Sequence, residues 1–178
     1  MNSHLKSELN SQKELNYSNN SIYCLPRGIL LSEFPKISTL NISKNCFTEI
    51  NESMVKSLPN LKELDAGNNK IAFITSKISL WKPTLRKLIL SKNNIQEIPP
   101  EISQLENLKY LVLKENKIEY LPSEISELIN LKMLDVSDNK ISSLPYDLGT
   151  LKNLKRLYMS DNHSLNCKLF LFIHRYSY

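Results

Sequence analysis

Three aspartates near the end of the chain are the first candidates for a site with chemistry of its own. Asp135, Asp138 and Asp161 recur at related positions in two neighbouring stretches of sequence. Clustered carboxylates could bind a divalent cation or exchange protons with a substrate. The basic residues that lie close to them in the sequence are Lys132, Lys155 and Arg156. Because these relieve the charge repulsion, we interpret the aspartates as solvated surface charge.

The other residue types on which enzymes rely are scattered. His4, His163 and His174 have no cysteine or carboxylate partner at metal-ligand spacing. The motifs G-x-x-x-x-G-K-[ST], G-x-S-x-G and H-E-x-x-H are absent from the sequence. Three glycines in 178 residues also argue against a glycine-rich nucleotide loop. The sequence therefore predicts a protein without catalytic activity, cofactor or metal ion.

Composition favours one globular domain. Hydrophobic residues make up 41% of the chain, and 23 basic residues exceed 18 acidic ones by a net charge of +5. This excess is spread along the sequence, which favours a solvated surface over a nucleic-acid site. Cys24, Cys46 and Cys167 form no close pair and are typical of free thiols in a reducing compartment. The first fifteen residues lack the apolar core of a secretory signal, and no apolar run approaches the ~20 residues of a membrane helix.

Seven asparagines suggest a different chemistry, which is hydrogen bonding to the main chain. They are Asn20, Asn45, Asn69, Asn93, Asn116, Asn139 and Asn162, at steps of 25, 24, 24, 23, 23 and 23 residues. Each lies among regularly spaced leucines and isoleucines, as in NLKYLVLKENKIEYLP at 107–122 and NLKMLDVSDNKISSLP at 130–145. A fixed period of this length indicates a solenoid in which every repeat forms one coil.

The shared pattern L-x-x-L-x-L-x-x-N-x-L resembles the leucine-rich repeat family over residues 12–166. The resemblance implies a single curved α/β solenoid of about seven repeats, of which the last is incomplete. A parallel β-sheet would line the concave face, and short helical or 3-10 turns would cover the convex face. Residues 1–11 would form an irregular cap or extension, and residues 167–178 an irregular tail.

Strand alternation predicts which side chains lie inside each coil. Leu111 and Leu113 would point inward and expose the residue between them. The asparagine amide would also point inward, where it can donate to and accept from main-chain groups that the turn leaves unpaired. Segments such as LPSEISEL at 121–128 should form the convex turns and begin at Pro122 or Pro145. Trp81, the only tryptophan, is either packing for the core and convex side, which we favour, or a binding anchor.

The exposed strand positions of repeats four to seven form an apolar and aromatic group with charges around it. Such a composition is typical of the centre of an interface, although β-branched and aromatic residues also suit exposed strands in general. The candidate partner-binding residues are Lys87, Ile89, Tyr110, Val112, Met133, Asp135, Arg156 and Tyr158. Basic residues also precede five of the strands, at Lys62, Arg86, Lys109, Lys132 and Lys155. They suggest an acidic partner, but NLKxL is common in this family, so we interpret them mainly as part of the repeat.

The 23-residue form LPxxIxxLxNLxxLxLxxNxI resembles the intracellular Ras-group subfamily of leucine-rich repeat proteins. That resemblance implies a monomeric cytoplasmic scaffold in signalling that binds a protein on its concave face. A small GTPase, a phosphatase or a component of a kinase pathway would be the partner, with no role for nucleic acid.

Two alternatives to the scaffold remain open. The chain could be a regulatory subunit of protein phosphatase 1, although that family usually has 22-residue repeats without the LP signature. It could also be the recognition portion of a larger multidomain signalling enzyme, because the pattern breaks after Asn162. The apolar run at 169–173 has three interpretations of its own, which are an improvised cap over the open core, the end of a truncated chain and a docking strand for a partner.

Overall fold

The computed structural model describes residues 12–25 and 36–162. Within these ranges the chain forms nine strands, which are β1 (Glu14–Asn16), β2 (Thr39–Asn41), β3 (Glu49–Ile50), β4 (Glu63–Asp65), β5 (Phe73–Ile74), β6 (Lys87–Ile89), β7 (Tyr110–Val112), β8 (Met133–Asp135) and β9 (Arg156–Tyr158). The helices of the same ranges are α1 (Glu52–Ser57) and the 3-10 helices η1 (Ser76–Trp81), η2 (Pro100–Gln104), η3 (Ser123–Glu127) and η4 (Tyr146–Thr150). The expected cap at 1–11 and tail at 167–178 lie outside the described residues.

One parallel sheet takes up a three-residue strand from every coil. Its order is β1-β2-β4-β6-β7-β8-β9, while β3 and β5 pair separately. Strands in a sheet lie about 4.8 Å apart, whereas helices side by side need about 8–10 Å. The sheet therefore occupies the inner side of the coil stack and the helices the outer side, so the predicted solenoid is confirmed.

The convex turns begin where the sequence predicts. Pro99, Pro122 and Pro145 occupy the N-cap positions of η2, η3 and η4. Proline suits the start of a helix because its fixed φ is compatible with the first turn and its missing N–H would have no partner there. The prediction for Pro122 and Pro145 is confirmed.

The core is one continuous column of apolar side chains between the sheet and the turns. The central leucines of the inner strands, including Leu88, Leu111 and Leu134, are completely buried. Leu157 is only half-buried, since β9 is the last strand of the sheet among the described residues. Trp81 is also fully buried, and its Nε1 donates to the carbonyl oxygen of Leu58 at 2.9 Å. The interpretation of Trp81 as packing is confirmed.

Six of the seven repeated asparagines form a buried ladder that joins the coils. The Nδ2 of Asn116 donates to Leu113 in its own coil and to Leu90 in the preceding coil, both at 2.9 Å. Its Oδ1 accepts the N–H of Ile95 at 3.1 Å. The Leu113 carbonyl accepts a second bond, at 3.0 Å, from Asn139 of the next coil. Each asparagine thus satisfies main-chain groups of two coils, as the sequence predicts.

Asn20 departs from the ladder although it matches the motif. Its side chain is exposed, and its Nδ2 donates only to the carbonyl of Ser18, at 2.9 Å. The described residues contain no coil before β1, so the amide has no carbonyl of a preceding coil to reach. The role of this asparagine therefore depends on its neighbouring coil and not on the motif alone.

The residue before each of these asparagines adopts a left-handed backbone. These residues, with their φ angles, are Asn19 (61°), Lys44 (55°), Asn68 (54°), Lys92 (57°), Glu115 (55°), Asp138 (54°) and Asp161 (56°). A side-chain-bearing residue pays about 1–2 kcal/mol for a left-handed conformation. The same conformation recurs in every coil and at varied residue types, including Asn19, which precedes an asparagine outside the ladder, so the turn itself imposes it.

A second, exposed series of asparagines joins the outer turns. Asn107, Asn130 and Asn153 donate their Nδ2 to main-chain carbonyls of the preceding coil at 3.2, 2.8 and 2.8 Å. These asparagines begin three of the four NLK sequences of the chain. These bonds join the segments between the 3-10 helices and the next strands to the same segments of the preceding coils.

Candidate functional site

The eight candidate partner-binding residues lie together on the sheet, and we call them the sheet patch. Strand register places them in two parallel rows. The first row is Lys87, Tyr110, Met133 and Arg156, and the second row is Ile89, Val112, Asp135 and Tyr158. The leucine between the two rows points into the core on every strand, so alternation directs both rows outward.

Four apolar residues form a block within the sheet patch. Tyr110 and Val112 lie on β7, Ile89 is next to Val112, and Met133 is next to Tyr110. All four are half-buried, because neighbouring strands cover their sides but leave their outer surfaces open. Tyr158 extends the second row and is 46% exposed. Large apolar side chains in such a position can be desolvated by a partner with little loss of their own freedom.

Asp135 has a structural role that the sequence analysis missed. Its Oδ1 accepts the main-chain N–H of Ser137 at 3.1 Å and also its hydroxyl. Asn41 and Asp65 make the same turn with the residue two positions later. The signal was present in the sequence as an Asn or Asp followed two residues later by Ser or Gly. One oxygen of Asp135 is therefore committed to the turn after β8.

The charges at the two ends of the first row differ in their surroundings. Lys87 lies 3.9 Å from the carboxylate of Glu63 on β4, and both side chains are substantially exposed, so the pair is loose. Arg156 is exposed, and no ion pair connects it to another described residue. On β1, β2 and β4 the equivalent positions are mostly polar, as at Thr39 and Asn41. The apolar character is therefore confined to the C-terminal half of the sheet.

The aspartates considered first are not gathered into a reactive centre. Asp138 forms an ion pair with Lys114 at 3.3 Å, and its hydrogen bond raises the pKa of that lysine above its ordinary value. In residues 12–25 and 36–162, no three histidine, cysteine, aspartate or glutamate side chains are placed to hold a metal ion together. The helices of the same ranges are all too short or too polar to cross a bilayer. Cys24 and Cys46 are free thiols, and Cys167 lies outside the described residues.

Two families match the chain. One, the leucine rich repeat family, matches residues 83–140, and a second, leucine rich repeats in two copies, matches residues 129–168. The first match includes the β6, β7 and β8 part of the sheet patch. Both matches fall in the region where the steps between asparagines settle to 23 residues.

Similar proteins include three from eukaryotic microbes. MAP kinase phosphatase with leucine-rich repeats protein 3 of Dictyostelium discoideum is 38% identical over 76 residues, covering 42% of this chain and 8% of that protein. The probable serine/threonine-protein kinase pats1 of the same organism is 33% identical over 100 residues, covering 54% and 3%. Adenylate cyclase of Schizosaccharomyces pombe is 34% identical over 103 residues, covering 55% and 6%. The chain thus spans less than a tenth of the relatives that it matches.

Solved structures with the same architecture cover most of the chain. A leucine-rich repeat protein of Leptospira interrogans aligns with a TM-score of 0.68 at 26% identity, covering 90% of this chain and 46% of that one. Drosophila Toll, in its complex with Spatzle, aligns with a TM-score of 0.73 at 27% identity, covering 83% and 22%. With the repeat spacing, the parallel sheet and the asparagine ladder, these matches show that the chain folds as a leucine-rich repeat solenoid.

Proposed function

We propose that this chain is a non-catalytic module or scaffold that binds a protein partner on the sheet patch. The observation that carries the proposal is the block formed by Ile89, Tyr110, Val112 and Met133, which Tyr158 extends, on a sheet whose other outward residues are polar. An apolar centre with charges around it is what a protein interface requires, since the centre supplies affinity and the charges supply specificity.

The outer face offers a weaker case for the same role. Ile129 is 63% exposed, but the residues one repeat away on either side are Glu106 and Lys152. Leu80 is 49% exposed, and Gln104 follows it one repeat later. Isolated apolar residues among charges are normal on protein surfaces. The contiguous block on the sheet therefore favours the inner face as the binding surface.

We also propose a role in cytoplasmic signalling, with a small GTPase, a phosphatase or a kinase-pathway component as partner. Support comes from the names of the three relatives, which are a phosphatase, a kinase and a cyclase. We expect the module to be monomeric. The protein phosphatase 1 alternative has less support, because the later repeats have steps of 23 residues.

A second candidate is that the chain is the recognition portion of a larger signalling enzyme. The matches to the relatives cover 42% to 55% of this chain but only 3% to 8% of the relatives, which favours such a modular use. Sequencing full-length transcripts beyond the codon for Tyr178 separates the two candidates. An open frame that continues into a catalytic domain would support the second, and a stop codon would support the free-standing module.

The sheet patch is tested by removing its two tyrosines. We expect Tyr110→Ala with Tyr158→Ala to reduce capture of the partner from a lysate of the source cells by at least about tenfold, because buried interface tyrosines often contribute 2 kcal/mol or more. The circular dichroism spectrum should not change, since both side chains lie outside the core.

The matched control removes two tyrosines from other surfaces. Tyr120 is 53% exposed and lies in the segment between β7 and η3. Tyr146 is 82% exposed and is the first residue of η4. Tyr120→Ala with Tyr146→Ala should leave capture unchanged. If the two double variants capture the same proteins equally well, the sheet patch is not the binding site.

A further inference from the structure

A row of cations runs along the side of the sheet patch where the strands begin. This basic row consists of Lys62, Arg86, Lys109, Lys132 and Lys155. Consecutive members are joined by main-chain hydrogen bonds of 2.8 Å from each N–H to the carbonyl of the preceding member. The cations therefore recur at every strand spacing, about 4.8 Å.

The basic row is left without counter-charges. Its side chains are exposed or half-exposed, and none of them forms an ion pair with another described residue. Like charges on adjacent strands destabilise a sheet, and a core built of leucine gains nothing from exposed lysines. The repeat explains why an exposed residue recurs at this position in each coil. Packing does not require that residue to be positively charged.

The opposite side of the strands shows that pairing is available in this fold. There Lys92 lies 3.6 Å from Glu115, and Lys114 lies 3.3 Å from Asp138. Each of these pairs links one coil to the next. Ion pairs thus link the coils at Lys92 and Lys114, beyond the ends of the strands, whereas the basic row forms none with the described residues. The sheet patch lies between the two sides.

The basic row and the sheet patch are directly continuous. Lys109 precedes Tyr110, and Lys132 precedes Met133, so two unpaired cations flank the apolar block. Among the outward-facing strand residues of β6 to β9, Asp135 is the single acidic one, and its Oδ1 is engaged by Ser137. A partner on this surface would therefore meet apolar side chains bordered by cations.

We propose that the partner presents an acidic protein segment, with glutamates or aspartates facing the basic row and apolar side chains on the block. This inference rests on the proposed function and adds the chemistry of the partner. Within the block only Tyr110 has a ring on which a nucleic-acid base could stack, whereas Ile89, Val112 and Met133 are aliphatic, which favours a protein segment. The inner side of a curved stack also cannot lie flat on a bilayer.

A labelled peptide in which glutamates alternate with leucines is a direct probe, with fluorescence anisotropy as the readout. We expect the 178-residue chain to bind this peptide. A peptide with lysine in place of glutamate and a peptide with serine in place of leucine should both bind poorly. Lys109→Glu with Lys132→Glu should weaken binding of the acidic peptide by at least about tenfold, because like charges then face each other across the interface.

A matched control reverses two lysines of the same coils on another surface. Lys117 and Lys140 are exposed and follow Asn116 and Asn139, beyond the ladder. Lys117→Glu with Lys140→Glu changes the net charge equally but should alter affinity by less than about twofold, since salt screens charges beyond about 10 Å. If the reversed variant misfolds by circular dichroism, Lys109→Gln with Lys132→Gln replaces it, with a smaller loss expected.

The inference is overturned if the acidic peptide does not bind, if both reversals weaken it equally, or if the lysine peptide binds as well. Tighter binding of a single-stranded RNA or of vesicles containing phosphatidylserine would also overturn it, in favour of a phosphate ligand.

The proposed function fails separately. If the reversal at Lys109 and Lys132 leaves cellular capture intact while the Tyr110 and Tyr158 variant abolishes it, the sheet patch binds a protein that is not acidic.

Discussion

Replacing Trp81 by alanine is expected to lower the free energy of unfolding by about 3–5 kcal/mol. The indole is completely buried at the end of η1, and its N–H donates to the carbonyl of Leu58, which caps α1 of the preceding coil. Alanine would leave a large cavity between two coils, and neighbouring side chains could fill it only in part. Urea unfolding followed by far-ultraviolet circular dichroism measures the loss.

Two further variants separate the contributions to this effect. Trp81→Phe removes the indole N–H and leaves the Leu58 carbonyl with only its bond from the Leu61 N–H, so the lost bond and the smaller ring should together cost about 1–3 kcal/mol. Leu80→Ala, at the neighbouring residue whose side chain is 49% exposed, should cost less than about 1 kcal/mol. Equal stability of Trp81→Ala and Leu80→Ala would show that Trp81 is not a core residue.

The second large effect is expected from Asn116→Ala. This change removes the acceptor of the buried Ile95 N–H and one of the two bonds to each of the Leu90 and Leu113 carbonyls. An unsatisfied buried polar group costs about 1–3 kcal/mol, so the free energy of unfolding should fall by that amount. Amide hydrogen exchange gives a local readout, because the N–H of Ile95 should exchange faster than in the unmodified chain.

Asn20→Ala is the matched control for the ladder. Asn20 occupies the same repeat position, but its side chain is exposed and bonds only Ser18 of its own coil. We expect a loss below about 0.5 kcal/mol, as for most surface substitutions. A loss at Asn116 no greater than that at Asn20 would contradict the view that the ladder holds adjacent coils together.

The fold could be predicted because its signals are periodic. Burial of Leu111 and Leu134 follows from alternation along a strand, and the inward amide of Asn116 follows from its fixed place after that strand. Asn20 carries the same signal, yet its environment differs because the ladder needs a preceding coil. Trp81 lies in a segment that departs from the repeat, so the sequence left two interpretations open and only the packed structure resolved them.

Residue type alone does not predict the left-handed conformation in every coil, although asparagine and aspartate adopt it more readily than other residues. Lys44, Lys92 and Glu115 have no intrinsic preference for positive φ, and the described residues include no glycine with that conformation. The stacked turn imposes the conformation, which is a property of neighbouring coils rather than of one residue. The sequence of a single coil therefore does not predict which residue adopts the left-handed conformation.

The candidate site was predictable in position but not in every role. The two-residue period of a strand placed all eight residues of the sheet patch on one face, as the register shows. The part that Asp135 plays in the turn after β8 rests on a local bond from Ser137, which the two-residue period of a strand does not indicate. Binding by the sheet patch stays a prediction, because no periodic signal specifies a partner.

Photo-cross-linking from two tyrosine positions tests most directly whether the inner face binds the partner. The photoreactive residue p-benzoylphenylalanine would replace either Tyr158 on β9 or Tyr146 on η4, both of which are exposed aromatic residues. We predict covalent capture of a protein partner from Tyr158 and none from Tyr146. Capture from Tyr146 without capture from Tyr158 would contradict binding on the sheet patch and place the partner on the outer face.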